Sequence, residues 1–538
     1  MTPASRTGRG YARQQQLIAA LRLPSRYPHP ARTVRLLETH ISWILLAGRF
    51  AYKIKKAVNL GFLDARKLSA RHAYCQEEMR LNRRLAPQLY LDAVAIGGTP
   101  AQPRFGVRPA IEYAVKMRRF NPARTLDRLA DSNLLQVSHI DALAHTVAAF
   151  HLGLDGLPPG TAAEYSGHFR AAMLQNFAQL APLLEPAAAP ALLDTLQQTA
   201  LSAFQAQHAL LQRRWHDGYV RECHGDLHLG NIVLSGQQPV PFDGIDFSPA
   251  LRWVDIIDEV AFTFMDLLFH RRPELAYRYL NAWLEHSGDY TGCVLLPLFA
   301  SYRATVRAKI NAIRSAQPGL SARQRSQAGE AAKRYLQLAL ECLHARSPRL
   351  LITHGLPGSG KSRLALAAAE RLGAIRLRSD VERKRLFGLS ALERSQPAQD
   401  IYSLSATRRT YQHLLDTARA LLQAGHIVIV DAAFLQLGER AMFRHLAAEA
   451  NAGFAIVSLQ PTSAILRERV LHRAAHGNDA SEAGIEVLEK LSRTQEPLTS
   501  AELAHTLVVA APLFDTARPD IWQQLQERLA LTARGHNC

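Results

Sequence analysis

Long apolar runs are missing from this chain. No stretch approaches 18 consecutive apolar residues, which argues against a membrane-crossing helix. The Arg-containing start, Met1 to Arg26, leads into no apolar stretch of signal-peptide length. Cysteine is scarce: five residues, at 75, 223, 293, 342 and 538, widely spaced and without a C-x-x-C. That pattern speaks against a disulfide framework or a zinc site and fits a reducing compartment. The expectation is a cytoplasmic protein with no membrane partner. Acidic residues are outnumbered, 46 against 64 basic, for a net charge of +18. The excess is uneven: 23 basic against 19 acidic residues from Arg349 onward, and 41 against 27 before it. A basic surface favours polyanions or phosphorylated ligands. No nucleic-acid-binding motif accompanies it, so nucleic acid is kept as an alternative partner and not the favoured one.

The chain has 538 residues, too many for one hydrophobic core. With 48% apolar and 20% charged residues it is an ordinary folded composition. Residues 1–32, polar and Arg/Gln-rich with Pro24, Pro28 and Pro30, read as a flexible arm with one short helix. Strands are expected at Ile41 to Leu46 and Phe50 to Lys55 around a turn at Gly48, and a helix from Ala70 to Leu85 that stops before Pro87. From about 121 to 346 the chain is mostly helical, interrupted by a β-rich insert between Cys223 and Phe247. Ser347-Pro-Arg is the linker candidate. Residues 349–515 alternate strand and helix as a parallel α/β sheet does, and residues 516–538 form a C-terminal helix or tail.

The strongest pattern in the first half is His224-Gly-Asp-Leu-His-Leu-Gly-Asn231, ahead of the apolar strand Ile232-Val-Leu. An acidic cluster, Phe242-Asp-Gly-Ile-Asp-Phe247, follows it. Phosphoryl transfer needs a carboxylate to orient and deprotonate the attacking hydroxyl, and oxygen ligands that hold magnesium against ATP. An Asp, an Asn five residues later and an Asp at the end of the next strand can supply those parts. Here the chain resembles the aminoglycoside phosphotransferase and choline kinase branch of the protein-kinase-like fold. The resemblance implies that Asp226 is the catalytic base, Asn231 a magnesium ligand and Asp246 the second metal-binding acid, with Asp243 its competitor. It also implies a strand Lys and a helix Glu that orients it: Lys53, with Lys55 on the same strand face, and Glu78, with Glu77 as alternative. No Gly-x-Gly-x-x-Gly loop, His-Arg-Asp or Ala-Pro-Glu is present, which favours a small-molecule kinase over a protein kinase.

In the second half, Leu350-Leu-Ile-Thr-His-Gly-Leu-Pro-Gly-Ser-Gly-Lys-Ser362 runs an apolar strand into a Walker A motif. Gly355, Gly358 and Gly360 let the backbone curl, with Ser359 among them, so that its N–H groups face phosphates. Lys361 reaches the β/γ-phosphates and Ser362 ligates magnesium. This half resembles small P-loop kinases of the nucleoside-kinase type. That likeness implies that Asp380, after the strand Ile375 to Ser379, contacts the acceptor hydroxyl, and that Asp431, ending Ile427-Val-Ile-Val, orients magnesium. It also implies a lid within residues 466–482 that brings Arg473, or Arg469, onto the phosphates.

The order of the two modules is similar to bacterial fusions described as bifunctional aminoglycoside phosphotransferase/ATP-binding proteins, the second module of AAA type. The fold expected is therefore two-domain: a protein-kinase-like α+β domain over 33–346 (lobes about 33–120 and 121–346), then an α/β P-loop domain with a parallel sheet over 349–515. The function expected is an ATP- and Mg2+-dependent kinase with two ATP-binding modules acting on a small-molecule hydroxyl. A nucleotide or nucleic-acid end kinase, and a regulator with one inactive module, are the alternatives.

Overall fold

The computed structural model describes residues 9–39, 41–59, 64–156, 162–184, 189–317, 319–344, 346–396, 400–476, 479–509 and 519–534. These fall into two compact units. The first takes its described residues from Met1–Leu143, Phe150–His168 and Ala209–Asp266, the second from Ala144–Ala149, Phe169–His208 and Leu267–Cys538.

The first unit is built on an antiparallel sheet of β1 (Val34–Glu38), β2 (Ser42–Ala47), β3 (Phe50–Lys55), β4 (Tyr90–Thr99), β5 (Gln102–Phe105) and β6 (Ala110–Arg118), in the order β1-β2-β3-β6-β4-β5. Two helices flank it, α1 (Arg9–Ala20) and α2 (Leu68–Asn82). The two-residue period of β3 sorts its side chains between them. Tyr52 and Ile54 join a core with Tyr11, Ile18 and Leu21. Ala51 joins Cys75 and Met79 of α2 on the other face, and Lys53 and Lys55 share that face.

The stretch expected as a flexible arm is, over its described part, a packed element. Tyr11, Gln14, Ile18 and Leu21 form one buried helical stripe. Its one polar member is satisfied: Gln14 donates to Lys55 O and Glu112 Oε2, each at 2.7 Å, and accepts from Ala57 N at 2.8 Å. The sequence looked loose because its prolines and arginines mask a narrow apolar face. Residues 1–8 lie outside the described residues.

Helices α3 (Leu126–Asp131), α4 (Val137–Leu152), α5 (Ala162–Leu180) and α6 (Ala189–His216) precede a small β region. There β7 (Val220–Glu222) pairs with β10 (Trp253–Asp255), and β8 (Ile232–Ser235) forms a hairpin with β9 (Gln238–Pro241). Helix α7 (Ile256–Phe269) follows, then α8 (Pro273–Ser287), α9 (Leu296–Ser315) and α10 (Ala322–Leu343).

The second unit holds a five-stranded parallel sheet in the order β12-β13-β11-β14-β15: β11 (Arg349–His354), β12 (Ala374–Arg378), β13 (Ile427–Asp431), β14 (Gly453–Leu459) and β15 (Thr506–Val509). Between and after these strands run α11 (Lys361–Leu372), α12 (Ser379–Leu386), α13 (Leu404–Gln423), α14 (Leu437–Glu449), α15 (Ser463–His476), α16 (Ile485–Thr494), α17 (Ser500–Leu503) and α18 (Pro519–Arg534). Strands β11, β13 and β14 are near-continuous apolar runs because helices cover both sheet faces. Trp522, Leu525 and Leu529 of α18 complete one core with Leu364 and Ala368 of α11.

Strand β12 lies at an edge of this sheet, and α8 covers it. The buried Asn281 of α8 donates to Ala374 O at 2.9 Å and accepts from Arg376 N at 2.7 Å, as a neighbouring strand would. Nearby, Arg278 pairs with Glu370 at 2.7 Å and Arg346 donates to the Tyr277 hydroxyl at 2.8 Å. No described helix is long and apolar enough to cross a membrane.

Candidate phosphotransfer sites

In the first unit, the alternation of β3 sends two lysines toward α2, where one glutamate meets both. Lys53 Nζ lies 2.8 Å from Glu78 Oε1 and 2.5 Å from Asp243 Oδ1. Lys55 Nζ lies 2.7 Å from Glu78 Oε2 and also pairs with Asp246. Two cations and three carboxylates thus share one network, buried except at Asp243. Burial opposes the charge on Lys53, yet Asp243 and Glu78 outweigh it and hold its ammonium well above the ordinary lysine range. Burial also opposes charge on Glu78, and Lys53 and Lys55 together keep its carboxyl below the usual range.

The loop after β7 carries Asp226, whose side chain is 36% exposed. Asn231 Nδ2 donates to Asp226 Oδ2 at 2.9 Å and to Asp226 O at 3.0 Å, so these two sequence candidates stand together. His228 Nδ1 accepts from Gly230 N at 3.1 Å, its ring packs on Phe262, and its Nε2 lies 3.7 Å from Asp226 Oδ2. His224 braces the loop against the next strand: its Nε2 donates to Phe242 O at 2.9 Å. Below it, Glu259 accepts from Gly225 N at 2.7 Å and from His151 Nε2 at 2.8 Å. Cys223 adds a third possible ligand atom to this buried group, all within 4.8 Å of one another. Both glutamate oxygens are already engaged, so the group anchors the loop. Glu259 escaped the sequence reading because nothing in Ile256-Ile-Asp-Glu259 distinguishes it from Asp258.

The structure separates the two acids of Phe242 to Phe247 by exposure. Asp246 is 5% exposed, with its carboxylate turned to Lys55. Burial, only partly offset by Lys55, raises its pKa. Asp243 is 48% exposed and follows Phe242, whose N–H donates to Asn231 O at 2.8 Å. Asp243 and Asn231 therefore flank the same end of the β8–β9 hairpin. Asp243 adopts a left-handed backbone, φ +62°, held by a 3.0 Å bond from its N–H to the Tyr90 hydroxyl. Asp243 thus keeps part of its carboxylate exposed beside Asn231 with Oδ1 on Lys53, whereas Asp246 is buried against Lys55. Spacing along the chain does not separate them: both lie beyond β9, which ends at Pro241, and the left-handed turn falls at Asp243 itself.

In the second unit, β11 ends in a loop whose three glycines adopt φ +144° (Gly355), +81° (Gly358) and +99° (Gly360). A Cβ on Gly358 would sit 2.9 Å from Leu466 O, and one on Gly355 2.6 Å from Leu459 O. The cradle thus needs glycine for space as well as for conformation. Lys361 opens α11 and donates to Leu356 O at 2.9 Å and Ser359 Oγ at 3.4 Å. Burial, against the pull of Asp431 and Asp380, lowers its pKa to about 8.

Asp431 ends β13, in register with Arg378 at the end of β12. It is 3% exposed, takes a hydrogen bond from the Ser362 side chain, and its Oδ2 has no hydrogen-bond partner. An orphaned buried oxygen beside the Walker serine fits a magnesium site. Burial, offset by Arg376 and Arg378, raises its pKa. Asp380 is half-buried in the first turn of α12, where the helix dipole favours its charge. Of the two lid arginines, Arg469 NH1 donates to Gly358 O at 3.3 Å, while Arg473 NH2 donates to Ala483 O at 2.7 Å. In this state it is the second choice, Arg469, that touches the phosphate loop.

Residues 65–294 match the model of the phosphotransferase enzyme family, and residues 350–498 match that of an AAA domain. Among solved structures, a choline/ethanolamine kinase family protein from Mesorhizobium loti aligns at TM-score 0.37 and 12% identity, over 61% of this chain and 98% of its own. A gluconokinase from Sinorhizobium meliloti aligns at TM-score 0.23 and 24% identity, over 35% and 94%. The uncharacterized protein Rv2004c of Mycobacterium tuberculosis is 30% identical over 446 residues, covering 82% of this chain and 87% of that one. Such an alignment spans both halves at once, and the chain accordingly belongs to the bacterial family that fuses an aminoglycoside-phosphotransferase-like kinase domain to a P-loop, kinase-like AAA domain.

Proposed function

We propose that this kinase-type phosphotransferase has two active ATP sites, one in each unit, and that each passes the γ-phosphate to the hydroxyl of a small molecule. In both, a lysine able to hold phosphate oxygens has a carboxylate suited to magnesium near it: Lys53 with Asp243, in contact at 2.5 Å, and Lys361 with the buried Asp431, whose charge acts on it without a direct bond. That repeated pairing is the observation that carries the reading. In the first site Asp226 orients and deprotonates the acceptor, Asn231 and Asp243 hold the metal, and Glu78 keeps Lys53 in place. In the second, the backbone around Gly358, Ser359 and Gly360 cradles the phosphates, Ser362 and Asp431 hold the metal, and Asp380 faces the acceptor. Arg469 and Arg473 are the cations available as charge develops. Magnesium, when bound, neutralises phosphate charge, and the residues named supply the rest by positioning.

The test follows γ-phosphate transfer from labelled ATP into a bacterial metabolite extract. Asp226→Asn and Lys361→Ala are each expected to remove a different labelled product. If both variants keep every product, the two-site reading is wrong. If only one variant loses product, the other module does not transfer phosphate.

A further inference from the structure

Helix α8 lies inside the segment matched by the phosphotransferase family model, yet it packs within the same compact unit as the P-loop sheet. Its Glu285 ends among the arginines of β12. The carboxylate pairs with Arg376, and its Oε2 lies 3.7 Å from Arg378 NH1. The Glu285 carbonyl accepts from Arg385 NH2 at 2.7 Å. Arg376 also donates to Ser362 O at 3.1 Å, and its NH1 stands 3.9 Å from Asp431 Oδ2. That oxygen is the buried one without a hydrogen-bond partner, and Arg376 Nε has none either. The Arg376 guanidinium therefore sits between two carboxylates, touching Glu285 and stopping short of Asp431.

Arginine–carboxylate pairs in dry surroundings close readily into direct, often bidentate contact. A shift of about 1 Å would bring Arg376 to hydrogen-bond distance from Asp431. The oxygen that orients magnesium would then be occupied by a fixed cation. Arg378, by contrast, has its close partner in Asp479, at 2.5 Å. We infer that Glu285 is a positioning residue of the second site: it holds Arg376 off Asp431 and so keeps that buried oxygen available to magnesium. A helix of the phosphotransferase segment thereby completes the P-loop site. Asn281, one turn earlier, fixes the height of α8 on β12 through its two backbone bonds. Gly373, φ +65°, leaves room for the Tyr277 ring, which a Cβ there would meet at 2.9 Å. The inference rests on the P-loop as a magnesium–nucleotide site.

The experiment titrates Mg2+ against binding of a fluorescent ATP analogue to the full-length protein, counting only the signal lost in Lys361→Ala. In Glu285→Gln the Mg2+ needed for half-maximal binding is expected to rise about tenfold or more, the range for losing a residue that orients a metal ligand. Adding Arg376→Met to that variant removes the competing guanidinium and is expected to restore the wild-type requirement to within about twofold. Glu285→Asp, with the charge drawn back by one methylene, is expected to shift it less and carries the test if Glu285→Gln melts below assay temperature. An unchanged Mg2+ requirement in Glu285→Gln overturns the inference. So does a raised requirement that Arg376→Met fails to restore, which would mark Glu285 as a support for α8 only. Absence of any Lys361-dependent binding in the wild-type protein overturns the P-loop reading itself and is thereby told apart.

Discussion

Lys53 and Lys361 serve the same proposed purpose and are held in opposite ways. Lys53 lies against two carboxylates, in a network that Lys55 and Asp246 extend. Lys361 is tied to a backbone carbonyl and a hydroxyl of its own loop, and burial lowers its pKa to about 8. The first site is thus pre-assembled from charges supplied by three separate stretches of chain. The second is a backbone cradle whose lysine waits for an anion. One protein has solved the same electrostatic problem once with side chains and once with main chain.

The comparison can be broken first at the chemistry. Asp226→Asn should lower first-site turnover by two to four orders of magnitude, the usual range for a general base, and leave the Lys361-dependent product unchanged. Labelled-product analysis of both sites reads this directly. Next comes Glu78→Ala, which leaves two buried lysines short of a partner. Denaturant unfolding should show a loss of about 3–5 kcal/mol, with no matching weak point around Lys361. The two acids of the hairpin separate next. Asp243→Asn should raise the Mg2+ requirement of first-site turnover on the order of tenfold, and Asp246→Asn should act on stability instead. If Asp246→Asn gives the larger Mg2+ effect, the assignment of the metal-facing acid reverts.

The smallest effect is the most diagnostic of the contrast. Lys361 is cationic below about pH 8 and neutral above it. Nucleotide favours the cation, so binding at the second site should take up a proton and weaken by up to about tenfold per pH unit above 8. Lys53, held well above the ordinary lysine range, should leave first-site binding flat over that window. Parallel nucleotide-binding curves for Lys53→Ala and Lys361→Ala proteins between pH 7 and 9.5 check both. Equal slopes would mean that the two lysines are not differently held.

Legibility followed the range of the interactions. Walker A could be read whole, since its glycines, lysine and serine lie within eight residues and act through local backbone shape. Asp226 and Asn231 were legible for the same reason, and they hydrogen-bond each other. The packed helix α1 was missed because its apolar stripe is narrow and its partner sheet follows in the chain. Asp243 and Asp246 could not be told apart locally because exposure, not spacing, separates them. Glu259, Asn281 and Glu285 carried no local signal: each matters through partners 34 to 108 residues away.

By itself the sequence determined that there are two kinase-type halves, where the His224–Asn231 loop and the Walker A loop begin, and which strand, loop and helix carry them. These are consequences of short-range backbone preference and apolar periodicity. Only the tertiary structure decided which lysine meets which acid, which carboxylate stays open, and that α8 is part of the P-loop unit. Those depend on burial and on distances between segments far apart in the chain, quantities that residue order does not contain.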